Sequence, residues 1–376
     1  MLKDTNVAFY APIKPPDHHI PSGDRLIAQN LFKAFEISGA NIELASRYIA
    51  YSKRHDVNIL EDKKNGALEE IERLLDYYKS MDRTLLPQIW VTYHPYCKAP
   101  DWIGPKIAKA LDIPYVTIEA ARTGQGGAED LWKPWRKEAQ EGIKSADMHL
   151  VFKPTDQDYL KNLLGNESKL FHFNPFIDAE NIALAAPENL PKNWDKQTPV
   201  LITTGMMRKG KKLENFKILA EVLKGVRSDF NLIIVGGGPE EQAVKDAFHF
   251  ISSERTHWTG LIEHAEVLRW MRSADVFIWP GWNEPIGMVY LEAQLQELPI
   301  LAFKSMGVPL VVEDKQTGFL STQDDIAALT KNTDRLLNDV ELSKTMGKNG
   351  RKKVLSNHGI HAAAQRLEKT LSTLLK

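Results

Sequence analysis

The chain reads as an α/β protein in two domains, each built on a parallel sheet. Two features carry this expectation. Apolar runs of strand length alternate with helix-length amphipathic stretches from one end to the other, and parallel strands need such crossover helices to connect them. The rhythm is also interrupted once, near the middle, and 376 residues is long for one core but comfortable for two.

Taken in order, the strand candidates of the first half are NVAFYA, NIELAS, QIWVTY, PYVTIEA, MHLVF and KLFHF. Helical patterns such as RLIAQNLFKAFEISG and LEEIERLLDYYKSM lie between several of them. The second half repeats the pattern with PVLITTG, NLIIVGG, VFIWPG and PILAFK. Between the halves, DAENIALAAPENLPKNWDKQTP holds three prolines and no strand-length apolar run, which marks a connector. The expected boundaries are a first domain over 1–178, a linker over 179–198, a second domain over 199–357 and a closing segment over 358–376. In that segment Leu367, Leu371 and Leu374 recur at helical spacing, so it should form a helix with one buried face, free to pack back toward the first domain.

Composition removes several classes of function. A formal net charge of -1 lacks the basic excess of nucleic-acid binders. The single cysteine, Cys97, makes neither an internal disulfide nor a thiolate metal site, which fits a reducing compartment. The opening MLKDTNVAFYAP carries Lys and Asp where a signal peptide needs an apolar run, and no apolar stretch is long enough to span a membrane. A cytoplasmic protein is expected, with peripheral attachment to the inner face of a membrane left open. The adjacent His18 and His19 invite a metal reading, but adjacent side chains rarely face one ion and no further ligands stand out; the expected metal set is none.

In open α/β sheets ligands gather at the carboxyl ends of strands, where the next helix offers unpaired N–H groups to an anion. Three loops of the second half suit that place. After PVLITTG, whose last residue is Gly205, comes MMRKGKK, with Arg208, Lys209, Lys211 and Lys212 around Gly210. A guanidinium beside ammonium groups suits a diphosphate, whereas a solvated basic face is the plainer alternative. After NLIIV come Gly236, Gly237 and Gly238. A dinucleotide fingerprint would need its third glycine at Glu241, so an NAD-dependent oxidoreductase is disfavoured, and a tight turn explains the run equally well.

The third loop is WPGWNEPIGMVYLEAQLQELPI. With Glu284 at the bend and Pro285 opening a helix, that helix start would face the sheet edge. Glu292 would then lie roughly 10 Å along the axis at about 1.5 Å per residue. The two acids could bracket one ligand, one accepting from sugar hydroxyls and the other from a ribose diol. Alternatively Glu284 is only a helix N-terminal charge and Glu292 a surface residue, a reading that leaves the neighbouring Gly, Pro and basic loops without a purpose.

These motifs identify a resemblance. The E-x7-E pattern from Glu284 to Glu292, together with GMMRKGK, IIVGGGPEE, WTGLIEHAEVLRWMRSADVFIWPG and GVPLVVEDKQTGFL, resembles the retaining glycosyltransferases of family four in order and spacing. PSGDRLIAQNLFKAFEISGANIELAS resembles that family's glycine loop and first helix, and FNPFIDAENI its segment before the linker. The similarity runs over most of the chain and is looser before residue 150. It implies the GT-B fold, two Rossmann-like domains facing each other across a deep cleft. It also implies a nucleotide-sugar donor (UDP-, GDP- or ADP-linked) held mainly by the second domain, with no cofactor or metal required. The acceptor, a glycan, a lipid-linked intermediate or a small molecule, would be held mainly by the first domain.

By that resemblance Glu284 contacts the donor sugar, Glu292 the ribose, and Arg208 with Lys209 or Lys212 the diphosphate. Backbone amides near Pro285, Ile286, Gly287 and Met288 complete the cradle, with Gly23 approaching the phosphates from the first domain. Two departures stand out. Met206 occupies the place of the family's usual Arg, and Glu119, in VTIEAARTG, stands near where a histidine is frequent, so Glu119 is a candidate to touch the donor sugar. His94, Arg122 and Trp132 are acceptor-side candidates, His94 and Trp132 having core or loop packing as the alternative. Retaining glycosidases use two carboxyls about 5 to 5.5 Å apart, closer than Glu284 and Glu292 should be, so both are expected to grip ligand. A non-catalytic nucleotide-sugar-binding subunit is the competing reading, prompted by Met206 and Glu119.

Overall fold

The computed structural model describes residues 2–20, 22–121, 130–180 and 182–375. The chain divides into two compact units. The first comprises Met1–Asn174 with Ile360–Lys376, and the second Pro175–Gly359.

The first unit holds a six-stranded sheet. Its strands are β1 (Asn6–Tyr10), β2 (Asn41–Ser46), β3 (Ile89–Tyr93), β4 (Tyr115–Ile118), β5 (Met148–Val151) and β6 (Leu170–His172). They run in the order β2-β1-β3-β4-β5-β6, all parallel. Strands covered on both faces need apolar residues at every position, and β3 is buried throughout while β1 is buried from Val7 to Tyr10. Helix Gly23–Ile37 begins at Ser22, whose hydroxyl accepts from the Arg25 N–H at 3.2 Å, a cap that ends the loop after β1. The closing helix Ile360–Leu371 buries Ile360, Ala363, Ala364, Leu367 and Leu371 and packs against helix Gly23–Ile37. Leu374 lies beyond its end, half-buried.

The second unit repeats the design with β7 (Val200–Thr204), β8 (Asn231–Val235), β9 (Thr256–Gly260), β10 (Val276–Ile278), β11 (Ile300–Lys304) and β12 (Gly318–Thr322). The order is β12-β11-β10-β7-β8-β9, again parallel throughout. Every strand expected from the sequence is present. The two that the sequence reading passed over, β9 and β12, are the sheet's edges. THWTG is half-buried at every position, so it carries no apolar run to notice.

The proline-rich connector is irregular but not loose. Gln296 receives the Ala185 N–H at 2.9 Å and donates to Ala183 O at 3.1 Å, while Trp194 Nε1 donates to Glu254 O at 2.7 Å. These bonds tie residues 183–194 to the second unit, with which Pro175 onward is grouped. Among the described residues no helix is long and apolar enough to cross a membrane.

Candidate functional site

Each sheet reverses its winding at one place, and there the loops after two neighbouring strands part to leave a crevice at the carboxyl edge. In the second unit the reversal falls between β7 and β10. The loop after β7 carries the basic run and the loop after β10 carries Glu284. A cavity of about 430 Å³ lies between them, lined by Arg208, Lys209, Lys211, Lys212, Asn215, Trp282, Asn283, Glu284 and Pro285. Four cations thus face one carboxylate, a field suited to a dianion.

The walls are fixed by side chains of helix Lys211–Lys224. Asn215 is buried, and its amide accepts from Trp282 N–H at 2.7 Å and donates to Trp282 O at 3.1 Å. Lys211 donates to Asn283 O at 3.3 Å. Lys212 Nζ pairs with Glu284 Oε2 at 3.0 Å and lies 5.2 Å from the centre of the buried Trp279 ring. Two helices start at this crevice, Lys211–Lys224 behind Gly210 and Met288–Leu295 behind Gly287, and neither has a side-chain cap. Their leading N–H groups are the kind that anions recruit.

One expectation is corrected here. Pro285 does not open the helix, because Gly287, at φ 77, turns the chain left-handed and the helix starts at Met288. A Cβ on Gly287 would stand 2.4 Å from the Tyr290 ring, so the turn depends on glycine. Only the residues from Met288 onward are helical, so helical rise supplies about 6 Å of the span to Glu292 and the turn from Glu284 to Gly287 supplies the rest. Glu292 does not line the cavity. It projects from the same helix and meets His264 Nε2 through Oε1 at 3.0 Å.

The glycine run after β8 fits the plainer alternative. Gly236 sits at φ 126, and a Cβ there would fall 2.1 Å from Gly205 O. Met207 N–H donates to Gly237 O, and Glu240 N–H to Met207 O, both at 2.9 Å. The run lets the β8 loop buttress the β7 loop.

In the first unit the reversal falls between β1 and β3. Asp24, in the first turn after Gly23, meets His94 at the end of β3, Oδ1 to Nδ1 3.1 Å. His94 holds φ 58 and stacks on Tyr96 with ring centres 5.2 Å apart. Burial alone would lower the pKa of His94, but the charges of Glu119 and Asp24 and the bond to Asp24 outweigh it and raise the value. The same bond lowers the pKa of Asp24.

Glu119, also left-handed at φ 56, is buried. Its carboxylate accepts from Lys153 Nζ at 3.0 Å and from Tyr93 OH at 3.2 Å, and Lys153 also pairs with Asp156 at 2.9 Å. Burial would lower the Lys153 pKa, yet the two carboxylates raise it. No signal in the sequence announced that pairing. Trp132 is half-buried, with Lys98 Nζ 5.0 Å from its ring centre and Trp135 and His55 each at 5.8 Å. Arg122 lies outside the described residues. His18 and His19 stack on each other, and among the described residues no group of three metal-ligating side chains occurs.

The chain matches the family profile described as glycosyl transferases group 1 over residues 188–353. It is 30% identical over 290 residues to the GDP-mannose-dependent alpha-(1-6)-phosphatidylinositol monomannoside mannosyltransferase of Mycolicibacterium smegmatis, covering 72% of this chain and 75% of that one. Other curated relatives are matched over a smaller part of their length, the chain spanning 42%, 33% and 51% of the first three. In fold it is similar to sucrose-phosphate synthase from Thermosynechococcus elongatus, with a TM-score of 0.72 at 16% identity over 98% of this chain and 99% of that one. It is likewise similar to Anabaena HepE in complex with UDP, with a TM-score of 0.68 at 17% identity over 98% of this chain and 100% of that one. The profile match, the long mycobacterial alignment and the shared two-sheet fold agree that the chain belongs to the glycosyl transferases group 1 family.

Proposed function

We propose that this protein transfers a glycosyl group from a nucleotide diphosphate sugar to an acceptor hydroxyl with retention of the anomeric configuration. The observation that carries the reading is the crevice between β7 and β10, where four cations and one carboxylate line a single cavity and the helices that follow both strands start without side-chain caps. A diphosphate there would meet Arg208, Lys209 and Lys212 and the leading amides of the Met288–Leu295 helix. As the bond from the anomeric carbon to the phosphate oxygen breaks, charge builds on the leaving phosphate, and donors already in place stabilise it without reorganising.

Glu284 is held by Lys212 through one oxygen, and its other oxygen accepts from a hydroxyl of the donor sugar. The acceptor oxygen bonds to the anomeric carbon on the face the phosphate leaves, and its proton passes to a phosphate oxygen. Glu292 accepts from the ribose. In the first unit, His94 and Trp132 serve the acceptor. Glu119, spent on Lys153 and Tyr93, acts through the field it places on His94 rather than by touching the sugar.

UDP and GDP donors are the first to try, since one relative is named GDP-mannose-dependent and one neighbour holds UDP. The name of the mycobacterial relative also puts a lipid-linked acceptor beside glycans and small polyols, and with it contact with a membrane surface. The test is incubation with UDP-glucose and GDP-mannose and a panel of such acceptors, followed by nuclear magnetic resonance of the product. An α-linked product from an α-linked donor is expected. Inversion would overturn the mechanism, and nucleotide binding without hydrolysis or transfer would overturn the activity.

A further inference from the structure

Glu292 does not stand alone. His264, the first residue of helix His264–Arg272, reaches across to it from a different loop, Nε2 to Oε1 at 3.0 Å. Glu292 is 15% exposed and His264 57%, so the carboxylate is largely covered while the imidazole is open to solvent.

The imidazole is not needed by its own helix. Glu263 and Glu266 form a reciprocal capping box there. The strand that precedes this helix is tied at its end, because Gly236 N–H donates to Gly260 O at 3.1 Å. A side chain on the first turn of a capped helix, bonded to one oxygen of a partly buried carboxylate, fixes how that carboxylate presents its other lone pairs. The bond to Glu292 raises the His264 pKa against the effect of burial, so the imidazole remains a strong donor over more of the neutral range.

We propose that His264 is the positioning residue that makes this site select a ribose over a 2′-deoxyribose nucleotide, by orienting the Glu292 carboxylate to receive both hydroxyls of the diol. The proposal rests on the reading of Glu292 as the ribose acceptor. With the imidazole in place, each ribose hydroxyl finds a lone pair at fixed geometry. Without it, the carboxylate turns about its last torsion and the second hydroxyl loses its partner, while the first keeps one.

The experiment is calorimetric titration of UDP and 2′-deoxy-UDP, and of GDP and 2′-deoxy-GDP, into the full chain and its His264→Ala, His264→Gln and Glu292→Ala variants. The readout is the ratio of affinities within each protein, which a general loss of stability or folded fraction does not move. Wild type should prefer the ribose form by about tenfold, the weight of one hydrogen bond to a charged group. His264→Gln, which keeps a donor at similar reach, should retain that ratio. His264→Ala should lower it to about twofold, and His264→Asn, too short to reach, serves if the alanine variant does not fold. An unchanged ratio in the alanine or asparagine variant overturns the proposal while leaving Glu292 in its role. An unchanged ratio in Glu292→Ala, or a wild type blind to the 2′-hydroxyl, overturns the ribose assignment and the proposal with it.

Discussion

Lys212 and Glu284, 72 residues apart in the chain, meet at 3.0 Å across the crevice between β7 and β10, and the same ammonium lies 5.2 Å from the Trp279 ring centre. The ring and the carboxylate together hold one cation where a phosphate would arrive. Replacing Lys212 with Met keeps the stem over Trp279 and removes the charge. Donor kcat/KM should fall by about a hundredfold, near the upper end of what one charge-assisted bond contributes, with Lys212→Arg recovering part of it. Steady-state kinetics with whichever donor is turned over checks this, and a change below threefold would remove Lys212 from the phosphate's path.

Asn215 sets the shape of the Glu284 loop by closing both backbone groups of Trp282. Asn215→Ala leaves the Trp282 N–H and C=O without their partner in a partly buried position, at a cost of about 1–3 kcal/mol. Urea unfolding should register that loss, and the Michaelis constant for donor should rise more than kcat falls, since the residue faces the loop rather than the reacting atoms.

Gly236 is the glycine of the run whose replacement has the clearest cost. At φ 126, with Gly205 O 2.1 Å from any added Cβ, an alanine forces the β7 and β8 loops apart. Gly236→Ala should destabilise by roughly 2–4 kcal/mol from backbone strain and the clash together. Gly237→Ala, whose Cβ would meet nothing nearer than 3.4 Å, should cost under about 1 kcal/mol. Thermal unfolding of the two variants separates a packing role from a ligand role for this loop.

His149, on β5 beside the edge strand β6, is buried and shares its Nδ1 with the Thr117 hydroxyl at 2.6 Å. Burial, with a smaller push from Lys169, lowers its pKa from 6.5 to about 4. The unfolded chain therefore takes up a proton near pH 6.5 that the folded chain refuses until about 4. The stability at stake is complete above pH 6.5 and drains away as the pH drops toward 4. At pH 5 the loss is about 2 kcal/mol, from 1.36 kcal/mol per unit. Urea titrations at pH 7.5 and pH 5 should show a smaller drop for His149→Asn than for wild type by about that amount, and equal drops would place the acid sensitivity elsewhere.

What the sequence made legible follows from where its information lies. Central strands such as IWVTY and NLIIV are buried at every position and announce themselves as apolar runs. The edge strands THWTG and GFLST have one side open and look like loop. The crevice between the β7 and β10 loops was legible as a candidate, because Gly, Pro and basic residues cluster in those loops. Its wiring was not. The partners of Glu284, Glu292 and His94 lie 72, 28 and 70 residues away, and no local pattern predicts such meetings. The helix start moved from Pro285 to Met288, behind Gly287, for a related reason, since the contact with Tyr290 that requires a left-handed glycine exists only once the helix has formed.

The central claim is that a nucleotide diphosphate lies at the winding reversal of the second sheet, and a crystal structure of the protein soaked with UDP-glucose or GDP-mannose tests it most directly. The diphosphate should lie within hydrogen-bond reach of Lys212 and of the amides at the start of the Met288–Leu295 helix, with the ribose at Glu292. Phosphates found away from both helix starts, with the Lys212 to Glu284 pair undisturbed and no ligand atom near either, would contradict the account.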